Sequence, residues 1–207
     1  MCSSDLIPLY RLLGGYRNSI QTSVTIPLSS VEESVEMANR RAEQGFRMLK
    51  VKGGINPDED VQRIRAIHRA VPEMILRLDA DGGYTIQQAL DVARILRDKL
   101  EMMEQPVRAD DLEALDQVTQ LSPVPVLADQ SISDPESALH LLSGHRVHGV
   151  SIKVATSGGL RGARQLDSIA RAAKVLTMVS CLIEPALLIS AGLSLALSSP
   201  NVQYGDL

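Results

Sequence analysis

Three acidic residues stand at equal intervals along the chain, each at the end of a short apolar run. Asp79 ends ILRLD, Glu104 lies in MMEQP and Asp129 ends VPVLAD, so both steps are 25 residues. Carboxylates that converge must hold a cation or take up protons, because their charges repel. Oxygen ligands suit Mg²⁺, with Mn²⁺ as the alternative, better than zinc, which prefers nitrogen and sulfur. The residues therefore predict a divalent metal site; the alternative is three separate carboxylates that cap helices or pair with lysines.

Three lysines also lie in apolar runs, where lysine is rarely placed without a partner or a task. Lys50 and Lys52 belong to MLKVK, and Lys153 ends GVSIK. Lys50 and Lys52 are two residues apart, so both side chains leave the same face of a strand, about 6.5 Å apart. Near a cation and partly removed from water, the charged form of a lysine is disfavoured, which is what a base requires. Lys52 and Lys153 are therefore predicted to carry protons; the alternative is a set of surface lysines.

The apolar runs that carry these residues recur at a nearly constant step. Their ends are separated by 24 to 27 residues and fall at Pro27, Lys52, Asp79, Glu104, Asp129, Lys153, Ser180 and Asp206. Segments with helical spacing lie between them, among them 31–44, 58–70, 86–100 and 135–142. Strands that alternate with helices in this way predict parallel β/α units.

Eight β/α units suit a closed barrel or an open doubly wound sheet. Ionisable residues end the second to sixth strands, and an open sheet would spread them along an edge at about 4.8 Å per strand. A barrel brings them all to one mouth, the C-terminal face on which barrel enzymes keep their active sites. We therefore predict a TIM-like (β/α)7β barrel, with eight parallel strands and the helices outside, in which Lys52 and Lys153 face each other across the metal.

Composition and charge favour a globular cytoplasmic domain over a protein that binds nucleic acid or membranes. The 207 residues, 44% of them hydrophobic, suit one globular domain with a substantial core. A net charge of -4 without a basic stripe, and an aromatic content of 2%, argue against nucleic acid and anionic membranes as partners. Two cysteines and no secretory signal favour a cytoplasmic protein. The apolar segment 175–197 is interrupted by Glu184 and Pro185, which predicts a buried strand and a buried helix rather than a membrane span.

The motifs LKVKGG, LRLDADGGY, MMEQPV, VLADQS and VSIKVATSGGL, in this order, resemble the barrel domain of the enolase superfamily, muconate-lactonizing subgroup, and its dipeptide epimerases. The resemblance implies that Asp79, Glu104 and Asp129 bind Mg²⁺. It implies that Lys52 and Lys153 are opposed acid/base residues and that Lys50 supports the developing negative charge. A small carboxylate substrate is implied, as is a homo-oligomer for the full-length protein.

The reaction that the resemblance implies removes a proton alpha to a carboxylate through an enediolate intermediate. Its leading form is two-lysine epimerisation or racemisation of a dipeptide or an N-acyl amino acid. One alternative is a muconate-type cycloisomerase or an o-succinylbenzoate-synthase-type dehydratase, in which a single lysine does the proton work. An alternative of another class is an inactive barrel that binds a cation without turnover.

Two positions depart from the pattern of the family. Asp81 stands where the family usually has asparagine and adds a carboxylate near the metal, whereas Gln130 stands where it usually has glutamate and removes a charge. Cys181, Glu184 and Asp206 are similar to the positions in strands seven and eight that help to hold the substrate.

The resemblance also bears on domain organisation. Such enzymes carry an N-terminal capping domain, and we expect this chain to be a fragment without it, because the chain begins at the barrel and its last motif is cut short at Asp206-Leu207. We expect residues 1–13 to be a leader or a remnant of a preceding segment and residues 14–207 to be the catalytic barrel domain, truncated at its C-terminal end. We expect weak or no activity from the chain without a cap, because the cap excludes water from the site.

Overall fold

Eight parallel strands form a nearly closed barrel in a computed structural model, which describes residues 6–144 and 146–207. Each strand pairs with the next one along the chain. The strands are β1 (Val24–Ile26), β2 (Met48–Lys52), β3 (Ile75–Asp79), β4 (Leu100–Glu104), β5 (Val126–Ala128), β6 (Gly149–Lys153), β7 (Leu176–Ser180) and β8 (Val202–Asp206). Closure comes from a parallel bridge between Thr22 and Gly205 and from the amide of Ser23, which donates to the Gly205 carbonyl at 3.1 Å. The predicted (β/α)7β barrel is confirmed.

Helices follow the strands and cover the outside of the barrel. They are α1 (Leu9–Leu12), α2 (Val31–Glu43), α3 (Pro57–Ala70), α4 (Ile86–Leu96), α5 (Leu112–Leu121), α6 (Pro135–Leu142), α7 (Leu160–Ala172) and α8 (Ala186–Ser198). Helix α2 begins with a capping box between Ser30 and Glu33, and the side chain of Asn56 caps α3. These caps satisfy amide groups that the first helical turn leaves free. Residues 1–5 of the expected leader lie outside the described residues, and α1 packs against α8.

Two expectations about helices were wrong in part. The helix predicted over 86–100 ends at Leu96, because Leu100 pairs with β3 as the first residue of β4. Strand pairing therefore outweighs the helical spacing at this point. The helix within 175–197 was expected to be buried, but the first half of α8 is open to solvent, with Leu187 80% exposed. Within the part of the chain that the structure describes, no helix combines the length and the apolar character needed to cross a membrane.

The inside of the barrel has an apolar layer below a charged mouth. Met102, Leu127 and Met178 form a small cluster there, against which Tyr204 packs. Arg77 is buried in the same interior and donates to Glu101 at 2.6 Å and to the Gly205 carbonyl at 3.0 Å. A buried arginine with these partners is compensated, so it does not disrupt the layer. Along each strand, the next inward-facing position towards the C-terminal end lies one layer higher. The last of these positions lie at the charged mouth.

Candidate active site

The predicted metal ligands and lysines all come to the C-terminal mouth of the barrel. Lys52, Asp79, Glu104 and Lys153 are the last residues of β2, β3, β4 and β6, and Asp129 directly follows β5. The register pairs Lys52 with Asp79 and Asp79 with Glu104, so these side chains start from neighbouring positions on adjacent strands. Four strands separate β2 from β6 in a ring of eight, which puts Lys52 and Lys153 on opposite sides.

Lys50 lies at the centre of the acidic cluster. Its Nζ is 3.1 Å from Asp79 Oδ2, 3.4 Å from Glu104 Oε2 and 2.5 Å from Asp206 Oδ2. Burial alone would lower the pKa of Lys50, but the charges of Glu104, Asp206 and Asp79 outweigh it and raise the pKa above the ordinary value. Lys50 is therefore a fixed positive charge. Asp206, expected to help hold the substrate, is engaged here, and its Oδ1 accepts from Ser23 Oγ at 2.5 Å.

Lys52 contacts two carboxylates and stays partly open to solvent. Its Nζ lies 2.9 Å from Asp79 Oδ2 and 2.7 Å from Asp81 Oδ2, and its side chain is 30% exposed. Desolvation would lower the pKa of Lys52, but the two carboxylates outweigh this and raise it. The pKa of Asp79 is lowered in turn, because Lys50 and Lys52 together outweigh the effect of burial.

Lys153 is buried and forms an ion pair with Asp129 on the neighbouring strand. Burial raises the pKa of Asp129 in spite of the Lys153 ammonium group. The amide of Asp129 donates to Gln105 Oε1 at 2.8 Å, and the amide of Ser131 donates to the same atom at 3.2 Å. Gln105 thus holds the turn after β5. It was missed in the sequence, although its place between Glu104 and Pro106 marked it, and it has a positive φ of 38°.

The carboxylates are chemically suited to a divalent cation, although their placement differs from the prediction. Among the described side chains, no three of histidine, cysteine, aspartate or glutamate are placed to hold one ion; lysine ammonium groups lie between the carboxylates instead. Burial and the charge of Asp79 raise the pKa of Glu104 to about 8, and its buried Oε1 has no hydrogen-bond partner. The ion pairs join five carboxylates to three ammonium groups, so the site would have an excess of two negative charges with all five carboxylates ionised, and the raised pKa of Glu104 reflects this excess. Oxygen donors with an excess of two negative charges suit Mg²⁺.

The two departures from the family pattern contact each other. Gln130 Nε2 donates to Asp81 Oδ1 at 2.9 Å, while the other oxygen of Asp81 contacts Lys52. The sequence presented these positions as separate changes, one adding a carboxylate and the other removing one. In the structure they form a single pair at the mouth.

A buried network that the sequence analysis missed holds the loop after β2. Arg63 pairs with Asp60 and donates to the carbonyl of Lys52 at 2.8 Å. Asp60 Oδ2 also accepts from Tyr84 Oη at 2.6 Å and from the amide of Gly54 at 2.9 Å. We call these three side chains, Asp60, Arg63 and Tyr84, the Asp60 network. The signal for it was the position of Asp60 and Arg63 on the buried face of α3.

The loop after β2 crosses the loop after β3 at very short range. Gly54 has a φ of +93°, and a Cβ added to it would lie 1.9 Å from the Ala80 carbonyl oxygen. A side chain at Gly54 would therefore force the two loops apart. This contact fixes the segment that directly follows Lys52 against the segment that directly follows Asp79.

Cys181 and Glu184 lie between β7 and α8, at the rim of the mouth. The amide of Cys181 donates to the Asp206 carbonyl at 3.1 Å. Burial and the charges of Asp206 and Glu184 raise the pKa of the Cys181 thiol, so it stays protonated and is a poor nucleophile. The buried Oε2 of Glu184 has no hydrogen-bond partner within the described residues. Neither side chain joins the ion pairs of the lysines.

Comparisons with known proteins place this barrel in a family. Acidic residues and lysines on the C-terminal mouth of an eight-stranded parallel barrel are the arrangement of a barrel enzyme. The chain belongs to the enolase C-terminal domain-like family, whose profile matches residues 33–207. The resemblance inferred from the motifs is thereby confirmed.

Its relatives are epimerases. The L-Ala-D/L-Glu epimerase of Bacillus subtilis is 36% identical over 97% of this chain and 56% of the relative, and the hydrophobic dipeptide epimerase of Enterococcus faecalis is 34% identical over 97% and 57%. A solved structure of the E. faecalis dipeptide epimerase with Mg and L-Leu-L-Tyr has a TM-score of 0.94 at 34% identity, covering 97% of this chain and 57% of that one. This chain thus spans little more than half the length of these relatives.

Proposed function

We propose that this chain is the catalytic barrel of a Mg²⁺-dependent dipeptide epimerase, in which two lysines exchange one proton on opposite faces of the substrate. The observation that carries the proposal is the placement of Lys52 and Lys153 on strands four apart in a ring of eight, with the acidic cluster between them. The names of the relatives support the substrate class, a dipeptide.

Asp79, Glu104 and Asp129 are the proposed ligands of the cation. Together they offer oxygen donors from three consecutive strands. A bound Mg²⁺ would neutralise the charge that develops on the substrate carboxylate when the neighbouring carbon loses its proton. Glu104, with its unpartnered oxygen, is the ligand that this structure leaves most in need of a positive charge.

The lysines divide the proton work between them. In one direction the Nζ of Lys52 takes the α-proton, and the ammonium group of Lys153 returns a proton on the other face. Asp79 and Asp81 raise the pKa of Lys52, so its free amine would form when a cation neutralises the neighbouring carboxylates. The reverse direction exchanges these roles. Lys50 cannot take part as a base, because three carboxylates hold its proton; its fixed charge supports the negative charge formed on the substrate.

Separate Lys52→Met and Lys153→Met variants test the proposal in the complete protein that the gene encodes. With a panel of L,L- and L,D-dipeptides in D₂O, each variant should lose net epimerisation by about 10²- to 10⁴-fold, the usual contribution of a general acid or base. Each should still exchange the α-proton of one epimer, with Lys52→Met and Lys153→Met keeping opposite epimers.

The pattern of exchange separates the alternatives. If exchange disappears with only one of the two variants, a single base is at work, as in a cycloisomerase or dehydratase, and two-base epimerisation is rejected. If the wild-type protein neither exchanges nor converts any dipeptide while it still binds Mg²⁺, the chain is a cation-binding barrel without this turnover.

A further inference from the structure

We propose that Asp81 and Gln130 form a positioning pair that fixes the ammonium group of Lys52 and ties its side of the mouth to the side that carries Lys153. The inference rests on the proposed function, in which Lys52 carries a proton. Asp81 touches the proposed proton carrier directly, whereas Gln130 acts through Asp81.

The contacts divide the two oxygens of Asp81 between two partners. Oδ2 lies 2.7 Å from Lys52 Nζ, and Oδ1 accepts from Gln130 Nε2 at 2.9 Å. A carboxylate that is held at one oxygen presents the other in a defined direction. The Lys52 side chain is long and 30% exposed, so it can adopt several rotamers. A carboxylate that is itself held in place restricts these rotamers more than a mobile carboxylate does.

Asp79 cannot do the same work alone. Its Oδ2 is shared between Lys50 at 3.1 Å and Lys52 at 2.9 Å, and it is a proposed ligand of the cation. Asp81 forms no ion pair with Lys50. Within the described residues the polar partners of its side chain are Lys52 and Gln130, while the backbone amide of Asp81 donates to Asp79 Oδ1 at 3.4 Å.

Both members of the pair are anchored on Gln105. The amide of Gly82, next to Asp81, donates to the Gln105 carbonyl at 2.7 Å. The side chain of Gln105 accepts from the amides of Asp129 and Ser131, which flank Gln130. Asp81 has a φ of +45°, a conformation that costs a residue with a side chain about 1 kcal/mol or more. The turn thus keeps a strained residue in the place where it reaches Lys52.

The pair connects the two lysines through a short series of contacts. Gln130 follows Asp129, which forms the ion pair with Lys153, and Asp81 contacts Lys52. The hydrogen bond between Asp81 and Gln130 therefore crosses the end of β4 and connects the loops after β3 and β5. A neutral amide at position 130 makes this bond without adding a second negative charge beside Asp81.

A four-protein cycle tests the pair: the complete wild-type protein, Asp81→Asn, Gln130→Glu and the double variant. Asp81→Asn keeps the size of the side chain but removes the charge that holds Lys52. Gln130→Glu puts two carboxylates together. The double variant restores a hydrogen bond between amide and carboxylate with the charge moved away from Lys52. The exposed pair of Asp116 and Gln120 on α5, joined at 2.8 Å, gives the matched control with the same substitutions.

The first readout does not need activity. The labelling rate of the Lys52 amine by an acylating reagent, followed by peptide mass spectrometry, should rise about 3- to 10-fold in Asp81→Asn, because the loss of one charge-assisted hydrogen bond frees the amine. The side-chain amide resonance of Gln130, identified by its loss in Gln130→Glu, should shift in Asp81→Asn. Unchanged labelling and an unmoved amide resonance in Asp81→Asn would overturn the pair.

The second readout separates positioning from a structural role. In Asp81→Asn, kcat for the epimer whose proton Lys52 removes should fall about 10-fold, the effect of one hydrogen bond, with KM little changed. The double variant should recover the stability lost in Gln130→Glu but not kcat. A change in KM alone would overturn positioning. If the wild-type protein converts no dipeptide, the proposed function fails, and the labelling arm still decides whether Asp81 holds Lys52.

Discussion

The two sides of the mouth hold the same kind of residue in different ways. On the β2 side, Lys52 is partly exposed and contacts two carboxylates, one of which is shared with Lys50. On the β6 side, Lys153 is buried and has Asp129 as its ion-pair partner. The carbonyl of Lys52 is held by a guanidinium group, whereas that of Lys153 accepts from the hydroxyl of Ser157 at 2.7 Å.

This difference shows that a symmetric reaction does not need symmetric surroundings. Lys153 is fixed by burial and by a single partner, so its position depends on one ion pair. Lys52 is fixed by a set of partners, so the loss of any one leaves others in place. The two sides should therefore respond differently to equivalent substitutions.

The largest effect is expected where the two sides share the acidic cluster. The double variant Asp79→Ala/Glu104→Ala removes two carboxylates that contact Lys50, one of which also contacts Lys52, and should abolish Mg²⁺ binding, measured by calorimetric titration. The exposed pair Glu36→Ala/Asp91→Ala should leave the titration unchanged. Equal binding by all three proteins would show that the cation, if bound, does not use the cluster.

The next effect separates the two lysines by stability. Lys153→Met leaves Asp129 buried without its partner, which costs about 3–5 kcal/mol of unfolding free energy. Lys52→Met should cost about 1 kcal/mol or less, because Asp79 keeps Lys50 and Asp81 is partly exposed. Urea denaturation of the complete protein at neutral pH without Mg²⁺ measures both. Equal losses would remove the contrast between the two sides.

A smaller effect is expected from the support of the Lys52 backbone. Tyr84→Phe removes the hydroxyl that donates to buried Asp60 and should cost about 1.5–3 kcal/mol, the range for a hydrogen bond to a charged group. The amide of Gly54, which donates to the same carboxylate, should exchange faster with D₂O. Tyr16→Phe, at a ring 57% exposed, should change neither quantity. An unaltered Gly54 exchange rate would argue against the network as the support of this loop.

The smallest effect is expected on the other side, at Ser157. Ser157→Ala removes a neutral hydroxyl donor to the Lys153 carbonyl, while the backbone amide of residue 157 still donates to the same oxygen at 3.0 Å. The loss should be about 1 kcal/mol in urea denaturation, below that of Tyr84→Phe. The reverse order would mean that the Lys153 backbone, not that of Lys52, has the stronger support.

The positions of the strands were predictable because their ends carry the chemistry. Parallel strands of a barrel end at one face, so the ionisable residues at the ends of the second to sixth apolar runs predicted both the strand ends and a site. The strand ends at Lys52, Asp79, Glu104 and Lys153 were predicted in this way, and the roles of these residues stay predictions. The C-terminal end of helix α4 was not predicted correctly. Leu100 fits a helical spacing and a strand equally well, and only its pairing with β3 decides between them.

The supports of the site were less visible in the sequence. Asp60 and Arg63 belong to a helix rich in charged residues, so their burial becomes evident only through Tyr84 and the Lys52 carbonyl, which come from other segments. The contact between Asp81 and Gln130 joins residues 49 positions apart. Spacing along the chain contains no information on which loops meet above the end of a strand.

Asp206 also has a consequence for the order in which the barrel is made. It belongs to β8, the last of the eight strands to leave the ribosome, and it is the nearest carboxylate to Lys50 on β2, one of the first. Until β8 arrives, Lys50 lacks this partner and the edge of β1 is uncovered. A chain of seven strands thus lacks both a partner of Lys50 and the neighbour of β1, and the same five-residue strand supplies both contacts. The strand that closes the ring is therefore also the strand that completes the surroundings of Lys50.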